Sequence, residues 1–132
     1  PGSLATGYVV LEGLVVPVSR LGRPDLAESS GGLTSTVGDV RTWFDAFRAG
    51  EVVAPETVSE MLVRGPHRYG LGFEYARLGP LEWIGHFGQT IGFRTAMFHQ
   101  PELDTTLILL SNRQDLEIGA LTERLGALLA GA

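Results

Sequence analysis

Between Tyr69 and Asn112 the chain reads as neighbouring strands joined by links too short to hold a crossover helix. That feature limits the fold more than any other. Parallel pairing needs a connection of a dozen or more residues, so short links leave antiparallel pairing. Tyr69-Gly70-Leu71-Gly72-Phe73 leads toward a turn at Leu78-Gly79-Pro80. Leu81 to His86 is the next strand expected, then Phe93 to Phe98, ended by Gln100-Pro101. Thr105 to Ser111 is the last; its Leu107-Ile108-Leu109-Leu110 run predicts burial on both faces.

Helical periodicity appears on both sides of this run. Thr36 to Ala49 spaces Val37, Val40, Trp43, Phe44 and Phe47 as one apolar face, which predicts that all three aromatic residues lie in the core. Ser35 or Thr36 can cap it, Asp39 suits its first turn, and Gly50 can end it. Pro55 opens a second, shorter helix to about Val63, with Val58, Met61 and Leu62 inward. A third runs from about Leu116 to Ala130 on a stripe of Ile118, Leu121, Leu125 and Leu128. Gly7 to Val18, rich in β-branched residues and broken at Glu12-Gly13, predicts a loose hairpin or two short strands. Residues 19–33 read as loop. The expected class is α+β, an antiparallel sheet packed with helices, in one domain spanning residues 1–132.

Composition removes several function classes. A net charge of -5 argues against nucleic acid and against an anionic membrane surface. There is no cysteine, so disulfides, thiolate zinc sites and cysteine nucleophiles are excluded. All ten basic residues are arginine. No stretch is long and apolar enough for a membrane-spanning helix. Pro1-Gly2-Ser3-Leu4 does not open like a signal peptide, and the missing initial methionine is expected of a processed product, a fragment or a trimmed chain. The three histidines, His67, His86 and His99, have no metal-site spacing with the carboxylates, and no cofactor is expected. His67 and His99 read as ordinary residues, Asp39 and Glu60 as helix-surface or capping charges. Arg94 reads as facing solvent or an ion-pair partner.

Gly85-His86-Phe87-Gly88-Gln89-Thr90-Ile91-Gly92-Phe93 is the stretch with the most chemistry in it. Three glycines bracket a histidine at the end of an apolar strand. Glycine there would let a substrate lie against the backbone, and an edge strand offers N–H groups to a developing oxyanion. The plainer reading is a strand ending in a glycine turn beside a partly buried histidine.

The order of short motifs is similar to the second half of the serine β-lactamase and penicillin-binding protein family, most of all its class C β-lactamase, DD-carboxypeptidase and esterase branch. Ala5-Thr6-Gly7-Tyr8 resembles the entry into that half. Gly31 to Val40 resembles its Gly-Gly-Leu, Ser-Thr, Asp-Leu segment, and Tyr69 to Phe73 its Tyr-Gly-Leu-Gly-Trp strand. Gly85-His86-Phe87-Gly88 with Gly92-Phe93 resembles its Gly-His-Thr-Gly and Gly-Phe pair, and Leu109-Leu110-Ser111-Asn112 the end of the next strand.

Several expectations follow from the resemblance. The fold would be part of a β-lactamase/transpeptidase-like domain, lacking its N-terminal strands and helical subdomain. The chemistry would be acyl-enzyme formation by a serine hydrolase, acting on a small acyl substrate in the intact protein. His86 would be the substrate-side wall and Gln89 N–H an oxyanion donor; Phe87 and Gly88 would touch substrate. Phe87 replaces the usual Thr or Ser, which removes a hydroxyl that often faces a substrate carboxylate. Of the family's motifs, Ser-x-x-Lys cannot exist in a chain without lysine, and no tyrosine here begins Tyr-x-Asn. The nucleophile would therefore come from a missing N-terminal segment or another chain, leaving this chain inactive alone. The competing expectation is a non-catalytic binding module, or a degenerate half that assembles with a partner. The family's habit implies a bacterial periplasmic or extracellular location; the sequence itself carries no compartment signal.

Overall fold

The computed structural model describes residues 4–20 and 31–131, so most of the loop expected over 19–33 lies outside the described residues. Two short strands come first, β1 (Tyr8–Leu11) and β2 (Leu14–Pro17), closed by Glu12 and Gly13, both at positive φ. Two helices follow, α1 (Val37–Arg48) and α2 (Pro55–Met61). Then come β3 (Glu74–Leu78), β4 (Leu81–Thr90), β5 (Phe93–Gln100) and β6 (Thr105–Ser111). Helix α3 (Ile118–Ala130) completes the described chain. β3 to β6 form one antiparallel sheet in sequence order, as the short links require.

Two corrections concern the strands. Tyr69 makes an isolated antiparallel bridge to Glu74, residues 70–73 are bend and irregular backbone with Gly72 at φ +83°, and the strand begins at Glu74. β4 does not stop at His86; it continues to Thr90, and the reversal falls at Ile91-Gly92, with Gly92 at φ +82°. Gly85 and Gly88 are thus interior strand residues rather than a turn. A Cβ on Gly85 would come within 1.8 Å of the Met97 carbonyl oxygen, so backbone crowding demands glycine there. A Cβ on Gly88 would lie 2.1 Å from Thr95 Oγ1; glycine makes room for the threonine.

The sheet is covered on both faces. Strand alternation sends Trp83, Ala96 and Phe98 to one side, where they meet Leu78 and Ile118 under α3. Ile84 and Met97 go to the other side, against Phe44, Phe47, Val58 and Phe73 beneath α1 and α2. Leu107 and Leu109 join the α3 cluster, but Leu110 on the other face is 42% exposed, so the apolar run in β6, the outer strand of the sheet, is not buried on both faces as expected. Trp43 departs from expectation: it is 48% exposed and stacks on Phe47 at 5.6 Å instead of entering the core. Thr36 caps α1, its Oγ1 accepting from Asp39 N–H at 3.1 Å. The β1–β2 hairpin docks at the far end of the sheet, where Tyr8 N–H donates to Asn112 O and Asn112 Nδ2 donates to Thr6 O.

Candidate active site

The candidate site lies where β4 outruns its neighbour. β3 pairs with β4 only from Leu78↔Leu81 to Glu74↔Gly85. Beyond Gly85 the outer edge of β4 has no strand partner among the described residues. The first N–H on that free stretch belongs to Phe87, and it donates to Glu74 Oε1 at 2.7 Å. A side-chain carboxylate thus stands in for the ladder just past the last strand pair. Successive N–H groups of a strand point to opposite edges, so Gln89 N–H is directed to the same outer edge as Phe87 N–H, one step further out.

His86 projects from the α1/α2 face and is exposed. Its Nδ1 contacts Phe87 O, and its Nε2 lies 2.7 Å from the Tyr69 hydroxyl. The two rings meet edge to face at 5.6 Å. A backbone carbonyl can only accept, so the Nδ1 contact is a hydrogen bond when Nδ1 carries the proton; a ring in that neutral tautomer can accept at Nε2 from the Tyr69 O–H. Gly88 and Thr95 continue the same face from paired positions of β4 and β5.

Phe87 lies on the opposite face. Its ring packs against Phe98 at 4.7 Å in the α3 cluster. Alternation thus turns Phe87 and His86 to opposite faces of the sheet. On that rear side Phe87, Gln89, Arg94, Gln114 and the start of α3 line an open cavity of about 350 Å³. Arg94 borders this cavity, half-buried, and donates to Phe93 O.

The other histidines are elsewhere. His67 sits in a short 3-10 turn over Pro66–Arg68, at φ +58°. His99 is 2% exposed, tilts over Phe44 at 5.5 Å and shares a 3.0 Å hydrogen bond between Nδ1 and Thr106 Oγ1. Burial, and next the nearby Arg48, hold its pKa below the usual 6.5. Tyr75 shows the converse: burial and next Glu82 raise its phenol above the ordinary value. Among the described residues no three His, Asp or Glu side chains are grouped to hold a metal ion, and no helix is long and apolar enough to cross a membrane.

Tyr69 and Glu74 belong to this site, and sequence reasoning missed both. Tyr69 was visible only as part of Tyr-Gly-Leu-Gly-Phe, and its link to His86 spans 17 positions. Glu74 carries no local signal at all, because its role depends on where β3 stops.

The site is thus a β4 edge left open beside a histidine, on an antiparallel sheet between helical layers. The chain belongs to the Beta-lactamase family, whose model matches residues 5–131. Its fold is similar to that of D-amino acid amidase from Ochrobactrum anthropi SV3, solved in complex with D-phenylalanine, with a TM-score of 0.68 at 22% identity. That likeness takes in 97% of this chain and 44% of the amidase chain, so the protein spans less than half the length of that neighbour. No curated protein matches the chain by sequence.

Proposed function

We propose that this chain supplies one wall of a serine acyl-transfer site, and that the nucleophile comes from a preceding segment or another chain. One observation carries the reading: past Glu74 the β4 edge is open, and Gln89 N–H is directed out along it in the strand that bears His86. A preorganised backbone donor at a strand edge suits an oxyanion, since it needs no reorientation as charge develops. In this reading a serine hydroxyl adds to the acyl carbonyl from the open side. The carbonyl oxygen becomes an oxyanion and takes a hydrogen bond from Gln89 N–H. Collapse expels the leaving group, which departs with the proton given up by the serine hydroxyl, and leaves an acyl-serine, which water then hydrolyses to the free acid and the serine hydroxyl. His86, with Nε2 turned toward the Tyr69 hydroxyl, borders the space where protons move. Gly88 keeps the backbone accessible.

The preferred acyl donor is an ester or amide without a free carboxylate. By the family resemblance position 87 usually carries a hydroxyl that meets such a carboxylate, and Phe87 has none. The amidase likeness is in keeping with amide chemistry. Steady-state rates of the intact protein on a p-nitrophenyl ester and on a chromogenic β-lactam test this preference. The ester is expected to turn over faster; the reverse order would refute it.

A further inference from the structure

We propose that Tyr69 is a positioning residue for His86: a strained, pinned turn delivers its hydroxyl to Nε2 and holds the ring in the Nδ1–H tautomer. The inference rests on the reading of His86 as part of the site wall, and it names a residue outside the Ser-x-x-Lys and Tyr-x-Asn motifs. Tyr69 is followed by Gly70-Leu71, so it is not the tyrosine of a Tyr-x-Asn.

Several independent features converge on this tyrosine. His67 and Arg68, immediately before it, are both in the left-handed region, at φ +58° and +60°. Two consecutive non-glycine residues there are strained, and such strain persists only where surrounding contacts over-determine it. Those contacts are present. Arg68 Nη2 reaches Glu82 Oε2 at 2.6 Å, and Arg68 Nε donates to Tyr75 O at 3.1 Å. Gly65 N–H donates to Tyr69 O at 3.0 Å, and Tyr69 N–H donates to Pro66 O at 3.3 Å. Just after Tyr69, Gly70 N–H donates to Phe73 O and Leu71 N–H to Met61 O. Glycines permit the close approach: a Cβ on Gly65 would come within 2.7 Å of Tyr69 O, and one on Gly70 within 2.4 Å of Met61 O.

The result is a tyrosine fixed at both flanks, 41% exposed as a residue, with its hydroxyl on His86. An exposed histidine would otherwise sample rotamers and exchange tautomers freely. Here both ring nitrogens are engaged, Nδ1 with Phe87 O and Nε2 with Tyr69, and only one neutral tautomer satisfies both. The arrangement keeps Nε2 as the acceptor facing the open side of the sheet.

Two-bond ¹H–¹⁵N correlation spectra of the histidine-labelled chain read the tautomer of each ring directly. His86, assigned by its disappearance in His86→Asn, is expected in the Nδ1–H form. Tyr69→Phe keeps the ring and removes only the hydroxyl; it is expected to abolish the single-tautomer pattern of His86. The His99 signals, held through Thr106 on another part of the sheet, should stay in place and report that the fold is retained. If Tyr69→Phe displaces the His99 signals as well, Arg68→Ala decides the matter: it leaves Tyr69 present but unpinned, and the same loss at His86 is expected. A wild-type His86 in the Nε2–H form, or a pattern unmoved by the deciding variant, overturns the proposal. This readout involves no substrate, so it can fail while acyl transfer stands, or hold while acyl transfer fails.

Discussion

Glu74 Oε1 accepts the Phe87 N–H at 2.7 Å, although Glu74 is aligned in the sheet with Gly85, two residues away. The carboxylate reaches past the end of its own strand to occupy one donor of an edge that would otherwise stay open. It thereby decides which donor remains: Gln89 N–H, the next one on that edge. Unpaired strand edges recruit other chains, so partial occupation also limits the exposed length.

Removing that acceptor should loosen the edge locally. Glu74→Ala is expected to cost roughly 1 kcal/mol and to speed amide exchange at Phe87. Glu74→Gln keeps a carbonyl oxygen at the same reach and should retain most of the protection. Residue-resolved hydrogen exchange separates the two; equal protection of Phe87 in wild type and Glu74→Ala would contradict the assignment.

Two glycines should respond oppositely to alanine. Gly85→Ala forces a Cβ into the Met97 carbonyl and is expected to destabilise the fold by about 1–3 kcal/mol or more, the range for overpacking a filled site. Gly119→Ala, in the first turn of α3 with nothing within 4 Å, should be neutral or stabilising by roughly 0.4–1 kcal/mol. Denaturant midpoints of the two variants check the contrast.

His99 makes stability fall in acid. Its folded pKa lies below the ordinary 6.5, so the unfolded chain binds the proton more readily. The stabilising contribution is complete above pH 6.5 and is lost as pH drops below that value toward the folded pKa. His99→Gln removes the titrating group, and the midpoint of unfolding should then depend less on pH below 6.5. An unchanged slope would exclude His99 as its source.

The α1 cap offers a smaller effect. Thr36→Ala deletes the acceptor for Asp39 N–H and should cost about 1 kcal/mol, while Thr36→Ser should restore nearly all of it. Thermal melts of the three proteins measure the difference.

The sheet was legible in the sequence because its links are short: Thr105 to Ser111 matched in full, and antiparallel order needed no other information. Helix bounds were right to within about two residues, since caps and apolar spacing are local. Trp43 was misplaced because periodicity shows which residues share a face, while partner elements decide how far burial extends around it. The true length of β4 was hidden by Gly85 and Gly88, which resemble turn residues yet serve close packing to Met97 and Thr95. That Phe87 and His86 project from opposite faces was hidden with it. An earlier strand end leaves side-chain direction open, whereas a continuous strand fixes it by alternation. His86 stood out because of its glycine neighbours. Tyr69 and Glu74 did not, because contacts 17 and 13 residues apart leave no local pattern.

The central claim is that this chain builds a wall of the site and holds no nucleophile. Its most direct test is intact-mass analysis of the 132-residue chain after incubation with a fluorophosphonate and with a fluorescent penicillin. The mass should stay that of the unmodified chain with both reagents. A stoichiometric adduct on any serine within residues 1–132 would contradict the account.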